Sequence, residues 1–363
     1  MIEIGTPYTL NIDSKKVSSF FKKEWNRPIS LGDFNFYKWQ FIDVPNQDNI
    51  DNCCIAINEN LDVIAVMGVN NREFIENNNT INAGELTTWI VKEEYRNKGI
   101  GPKMITFLTN KYEILIGMGI SNDALPVYIR SGFKYLKAVP RYVKIMDWDK
   151  ITKYAEYDSN AKKIDRYYNK KRKEKSFRTI DFSEKSFENI NTLFSQTNNL
   201  FSRNYQYIKW RYLNHPMFKY DINIIQSDSN PGYGVFVATR TEVSDDNLKI
   251  LRIVDLFGDN KDIEAAISYL LEFAKLNNIP IVDFFGTNSN INSFLIKDGW
   301  FSTMDNDFFY FPHLFQPTEL RKPSTTSLIY WSKYDETSLY DIGKLYLTKQ
   351  DADFDRPILK EQS

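Results

Sequence analysis

Two glycines one residue apart, Gly99 and Gly101, follow Arg96 and Lys98 at the end of a β-branched run. That order of residue types suits the capture of a phosphate. The run from Glu85 to Val91 contains Thr87, Thr88, Ile90 and Val91, which favour a pleated strand. Glu93, Glu94 and Tyr95 interrupt it, and the stretch from Lys103 to Leu108 restores apolar residues at helical spacing. A helix starting near Gly101 presents unpaired backbone N–H groups and the positive end of its dipole. Gly99 and Gly101 let the backbone approach a phosphate and take dihedrals that a side chain forbids. Arg96 and Lys98 add positive charge beside it. A lone G-x-G is also an ordinary strand-to-helix turn, so its context decides. That context is a second block about twenty residues on, with Asn122, Ala124, Tyr128, Gly132 and Phe133 at fixed intervals.

Together the two blocks resemble the GCN5-related N-acetyltransferase (GNAT) superfamily. Arg96-Asn97-Lys98-Gly99-Ile100-Gly101 matches its R/Q-x-x-G-x-G/A motif, which grips the pyrophosphate of an acyl-coenzyme A. The second block matches N-x-A-x-x-x-Y-x-x-x-G-F. The resemblance implies an α/β fold with a mixed sheet and transfer of an acyl group from acetyl-CoA, or a related acyl-CoA, to an amine. It further implies a splay in the central strand, which would free backbone groups at Trp89, Ile90 and Val91 for the pantetheine and the thioester oxygen. Tyr128 stands where the family tyrosine protonates the departing thiolate, and Asn122 stands beside the cofactor arm. Glu85, at the start of the central strand, is the candidate general base. Simple alternation places Glu85, Thr87, Trp89 and Val91 on one face of that strand. The competing readings are a strand-end carboxylate for Glu85, a core tyrosine for Tyr128 and a turn residue for Asn122.

The elements that must position these residues occur twice. Trp39, in FYKWQF, recurs as Trp210, in YIKWRY, and an apolar strand pair follows each. Glu85–Val91 aligns with Leu251–Phe257, and Val127–Phe133 with Phe294–Trp300. The closing strands over 142–148 and 328–334 also correspond. An ordered series of such matches indicates a tandem repeat of two GNAT-like units. The expected division is 1–150 for an acyl-CoA-binding unit, 151–175 for a basic linker and 176–363 for a degenerate unit. The turn after Leu251–Phe257 lacks the glycine motif, and Asp259 and Asp262 would repel a pyrophosphate. Leu295 replaces Tyr128. The second unit is therefore expected to serve the acceptor, the packing, or both.

In that unit Arg203, Tyr207, Trp210, Arg211, Tyr212, His215 and Pro216 form a pattern similar to acetyltransferase-like proteins of bacterial surface-polysaccharide synthesis. So does the segment from Asp351 through Asp353, Asp355 and Arg356 to Pro357. The resemblance implies that Arg203, Trp210 and Arg211 contact an acceptor, the amine of an amino sugar that is nucleotide-linked. An aromatic platform suits a sugar, and arginines suit a diphosphate. W-R-Y is equally an ordinary packing motif. The acidic C-terminal cluster is expected to be solvated rather than a metal site.

Composition narrows the field. With 46 basic and 47 acidic residues the net charge is -1, which argues against capture of nucleic acid. The first residues lack the basic and apolar regions of a signal peptide, and no apolar run could span a bilayer, so a cytoplasmic protein is expected. Cys53 and Cys54 read as small buried hydrophobes, and His215 and His313 cannot build a zinc site unaided; no metal is expected. Two rival functions stay open. One is aminoacyl transfer of the cell-wall-bridge type, whose enzymes often lack an acyl-CoA loop. The other is a non-catalytic CoA-binding protein.

Overall fold

The computed structural model describes residues 2–244, 246–304, 309–314, 320–321, 324–334, 341–352 and 357. The chain begins with β1 (Glu3–Gly5), α1 (Ser14–Glu24), α2 (Phe34–Phe41), β2 (Cys54–Ile57), β3 (Val63–Glu76) and β4 (Asn79–Val91). Then come α3 (Ile100–Lys111), β5 (Ile114–Met118), α4 (Leu125–Arg130), β6 (Lys134–Leu136) and β7 (Arg141–Ile145). The middle of the chain holds α5 (Trp148–Ile151), β8 (Glu156–Tyr157) and α6 (Ser159–Lys171). The second series is β9 (Phe177–Ile180), α7 (Glu184–Ser195), β10 (Asn199–Phe201), α8 (Tyr205–Ile208), β11 (Asp221–Ser227), β12 (Val235–Val243) and β13 (Lys249–Gly258). It continues through α9 (Asn260–Leu276), β14 (Ile281–Phe285), α10 (Ser289–Lys297) and β15 (Phe301–Ser302). The last strands are β16 (Phe309–Tyr310), β17 (His313–Leu314), β18 (Leu320–Arg321), β19 (Leu328–Ser332) and β20 (Leu345–Tyr346).

Local chemistry accounts for the principal elements. Asp13 caps α1 by accepting the Lys15 N–H, and Val17, Phe20 and Phe21 form its buried face. The long β3–β4 hairpin turns at Asn77 and Asn78, both at positive φ (48° and 66°). Two left-handed central residues match the twist of the strands they join. In α9, Ile263, Ala266, Ile267, Leu270, Leu271 and Ala274 recur at helical spacing and are buried.

Among the described residues the strands form two large mixed sheets. The first runs β1-β2-β3-β4-β5-β19-β6, with β10 on β3 and β20 on β10; the second runs β15-β7-β14-β13-β12-β11-β9. The segments read as corresponding closing strands have changed places. β7 pairs along its length with β14, and β19 pairs along its length with β5. Each sheet thus completes itself with a strand from the other half of the chain. The two halves of the chain also meet at the tryptophans that sequence matched. Trp39 and Trp210 stack at 4.8 Å. Trp210 Nε1 donates to the Trp39 carbonyl at 3.0 Å, and Trp39 Nε1 donates to the Trp210 carbonyl at 3.4 Å.

Both central strands break in the same way. The parallel β4–β5 ladder ends at Leu86 opposite Gly117, although β4 continues to Val91. The parallel β13–β14 ladder ends at Ile253 opposite Phe284, although β13 continues to Gly258. The antiparallel partner of each carries a register shift, between Met67 and Val69 in one and between Ala238 and Thr239 in the other. This bulge corrects the alternation expected for the first central strand. Leu86, Trp89 and Val91 pack together with Met104 and Leu108 of α3, whereas Ile90 packs with Phe41 of α2. An extra residue at Thr87–Thr88 shifts the phase, so Glu85 does not share a face with Trp89 and Val91.

Candidate active site

The turn after β4 is open and exposed from Arg96 to Gly99. Gly99 adopts φ 74° as the N-cap of α3, and no side chain caps that helix. A Cβ at Gly99 would meet nothing within 4 Å, so its glycine serves backbone conformation alone. Gly101 has a different reason. A Cβ there would lie 3.1 Å from the Trp89 ring. Pro102, the third residue of α3, has no N–H, which leaves the amides around Gly99, Ile100 and Gly101 as the donors of this helix start. Asn97 is also left-handed, at φ 62°. Arg96 Nε donates to the Val91 carbonyl at 3.1 Å and ties the loop to the strand end, while Lys98 Nζ lies 5.1 Å from the Tyr95 ring.

Behind this loop the β4–β5 gap is floored by aromatic rings. Trp89 meets Tyr128 edge to face at 5.4 Å, and its buried Nε1 has no hydrogen-bond partner among the described residues. Tyr128 is buried, and its hydroxyl donates to Met67 Sδ at 3.9 Å. Burial pushes its phenol well above the ordinary range, so it stays protonated. Asn122 lies exposed in the turn before α4.

The corresponding places in the second half are filled. Asp259 caps α9 through Lys261 N and also accepts Tyr233 N. The Asp262 carboxylate accepts N–H groups from Ser227, Gly232 and Gly234. The helix start that would bind a phosphate is thus neutralised by its own carboxylates. The β13–β14 gap is occupied by the chain itself. Tyr346 accepts the Leu256 N–H at 3.0 Å, Thr287 N donates to the Leu347 carbonyl, and Gly286 pairs with Thr348. Leu295 is buried in the core at the position matching Tyr128.

Glu85 lies on the α2 side of the first sheet, 5% exposed. Arg72 Nη1 donates to it at 3.0 Å. Burial raises its proton affinity, and Arg72 opposes part of that rise. The same Arg72 nitrogen reaches Asp351 at 3.4 Å, Arg203 pairs with Asp351, and Arg203 Nε donates to Asp255 at 3.0 Å. One chain of charges therefore runs from Glu85 to Asp255 across both halves of the molecule. Arg72 also stacks over Tyr207 at 4.0 Å and Phe201 at 4.5 Å. Arg211 is within electrostatic reach of Glu85 and bonds Tyr220 Oη at 2.9 Å.

The structure thus brings Glu85, Arg211 and, through Asp351, Arg203 to one place. The guanidinium of Arg203 is buried between two carboxylates, and one face of Trp210 is covered by Trp39. Asp351 is 1% exposed, which corrects the expectation of a solvated acidic C-terminal cluster. The physical reason is the pair of buried guanidiniums it neutralises. Asp353 and Asp355 lie outside the described residues. Sequence reasoning missed Arg72; its place in a strand between Asn70 and Phe74, the neighbours on its own face, was the available signal. Beside Arg72 and Tyr207 a groove of about 310 Å³ opens between the β3–β4 hairpin and the segment 202–207, and Asn46, Asn71, Asn82 and Asn204 line it. No helix among the described residues is long and apolar enough to cross a membrane.

No family model and no curated protein matches the chain. Solved structures do. A GCN5-related N-acetyltransferase from Anabaena variabilis superposes over 90% of this chain and 72% of its own, with a TM-score of 0.50 and 13% identity. Saccharomyces cerevisiae N-myristoyltransferase with bound myristoyl-CoA covers 91% and 79%, at 0.51 and 9% identity. A conserved protein of unknown function from Enterococcus faecalis V583, described as a probable N-acyltransferase, covers 90% and 72%, at 0.53 and 8% identity. At these identities the likeness is one of fold. The chain has the mixed α/β fold of the GCN5-related N-acetyltransferases.

Proposed function

We propose that the protein is an N-acyltransferase that takes its acyl group from acetyl-CoA, or a related short acyl-CoA, at residues 85–128. The observation that carries this reading is an asymmetry. Both halves have a bulged, splayed central strand, but among the described residues only the first leaves its helix start and its gap open. There the amides of Gly99, Ile100 and Gly101, with Arg96 and Lys98, would hold the pyrophosphate. The freed backbone of Trp89, Ile90 and Val91 and the unpaired Trp89 Nε1 would receive the pantetheine, with Asn122 across the cleft.

Tyr128 lies on one face of the sheet and Glu85 on the other, and the gap beyond Leu86 would join the two faces. The acceptor nitrogen attacks the thioester carbonyl and forms the C–N bond, and Glu85 takes the proton that the nitrogen loses. Strand N–H groups support the tetrahedral oxyanion. The C–S bond then breaks and the thiolate takes the Tyr128 proton. Proton exchange with solvent restores Glu85 and Tyr128, leaving an amide and free CoA thiol.

The acceptor is proposed to be the amine of an amino sugar destined for a surface glycan. The amide-lined groove beside Arg72 supports a hydroxyl-rich acceptor. Arg203, held by Asp255 and Asp351, is assigned to structure rather than to a nucleotide diphosphate. Residues 1–150 would form the donor unit and 176–363 the acceptor and supporting unit, joined through 151–175 and interlocked by β7 and β19. The open loop at 96–101 favours this over an aminoacyl transferase of the cell-wall-bridge type. The test is thiol release from acetyl-CoA in the presence of amino sugars. Amine-dependent release supports the reading, and CoA binding without release for any amine would leave a CoA-binding protein.

A further inference from the structure

On the α2 side of the first sheet three hydrogen-bond acceptors are buried with no partner among the described residues: Gln40 Oε1, Asn70 Oδ1 and Thr87 Oγ1. Gln40 and Asn70 are 5% and 4% exposed. Asn70 lies directly opposite Glu85 in the β3–β4 ladder, and opposite residues share a face. Two positions along β3, a Cβ on Gly68 would lie 2.2 Å from Thr87 Oγ1 and 2.5 Å from Phe41 Cζ. Phe41 is the neighbour of Gln40 at the end of α2. Asn70, Thr87 and the Glu85 carboxylate therefore share one face of the sheet, and Gln40 is buried on the helix packed against that face. The π-helical turn Lys209–Leu213 of the second half carries Arg211, which acts electrostatically on Glu85.

A buried polar atom left unpaired is costly. Two amide oxygens and a hydroxyl beside a carboxylate call for an occupant rich in donors. A hydroxyl supplies one donor; an alkylammonium supplies three and accepts nothing. We propose that Gln40, Asn70 and Thr87 seat the amino group of the acceptor in its protonated form, next to Glu85. The seated ammonium gives one proton to solvent along the groove, and the neutral amine then attacks the thioester and gives its second proton to Glu85. A fourth orphaned atom, Gln47 Nε2, is a donor. The other end of that amide accepts Asn71 N at 3.2 Å, and Asn71 lines the groove together with Asn46, Thr80, Asn82, Ser202 and Asn204. The ligand that fits seat and groove together is a primary amine bearing several hydroxyls. This assignment rests on the acyltransferase reading above.

The experiment uses the full chain and D-glucosamine as probe, with D-glucose and N-acetyl-D-glucosamine as matched controls lacking the free amine. Binding is followed by calorimetry and thermal shift with CoA present. The expected result is binding of glucosamine and of neither control. Asn70→Leu and Gln40→Met should each weaken glucosamine at least tenfold, leave CoA affinity unchanged, and keep or raise Tm, because each removes an unpaired buried acceptor. Thr87→Val carries the same test should Asn70→Leu not fold. Equal binding of glucosamine and glucose, no binding of glucosamine, or unaltered binding in the variants overturns the seat. If CoA still binds in those cases, the seat alone fails; if CoA does not bind, the acyltransferase reading fails with it.

Discussion

Gly99→Asp isolates the charge at the donor loop. A side chain at 99 points into open space, since nothing lies within 4 Å of the Cβ position. Gly101 is less suitable, because its Cβ would press on Trp89 at 3.1 Å. The backbone at 99 is left-handed, at φ 74°, a conformation that Asn and Asp tolerate better than other side chains. Gly99→Asn therefore serves as the neutral control of nearly equal shape, and both variants should lose about 1–2 kcal/mol of stability to the backbone. The difference between them is electrostatic. A carboxylate about 5 Å from one phosphate charge is repelled by roughly 0.8 kcal/mol in water and about 3 kcal/mol at an effective dielectric of 20. That range corresponds to a weakening of roughly fourfold to a few hundredfold in affinity. Titration calorimetry with acetyl-CoA at low salt should place Gly99→Asp at least about tenfold below Gly99→Asn. The gap should shrink near 1 M salt, where the screening length falls to about 3 Å. Equal affinities for the two variants at low salt would refute a pyrophosphate at this loop.

Three further outcomes follow from the same geometry. Tyr128→Phe should lower kcat by about 10²–10⁴-fold with little change in the KM for acyl-CoA; near-normal turnover would return Tyr128 to the core. Because burial holds the Glu85 pKa above the ordinary carboxylate range, kcat should rise with pH through that raised value as the base loses its proton. In Glu85→Gln this limb should vanish along with most of the activity, whereas an unchanged profile would assign the base elsewhere. Asp351→Ala leaves Arg72 with Glu85 and Arg203 with Asp255 but removes their shared buried partner. Urea unfolding should show a loss of about 3 kcal/mol, the lower end for breaking a buried pair, and a change within about 0.5 kcal/mol, the usual span of surface substitutions, would contradict the network.

The strand–turn–helix around residues 96–101 was legible because its signals are local: β-branched residues, two glycines and an apolar helical face, all between Glu85 and Leu108. The sequence match of Trp39 with Trp210 did not reveal their mutual stacking. Sequence pattern does not say in which sheet a strand will lie. β7 and β19 are similar apolar strands, so the sheet each one joins leaves no local trace. The bulge at Thr87–Thr88 escaped for a related reason. A one-residue shift changes the face of every following side chain without changing composition. Asp351 looked like part of a solvated acidic run because its partners, Arg72 and Arg203, are far away in sequence.

The most direct test of the central claim is the stoichiometry of acetyl-CoA binding to the full chain by titration calorimetry. One site per chain, weakened by Gly99→Asp, is the expected result, since α9 is capped by Asp259, Asp262 adds a second carboxylate at that helix start, and the β13–β14 gap is filled by residues 346–348. Two sites per chain, or none, would contradict the account.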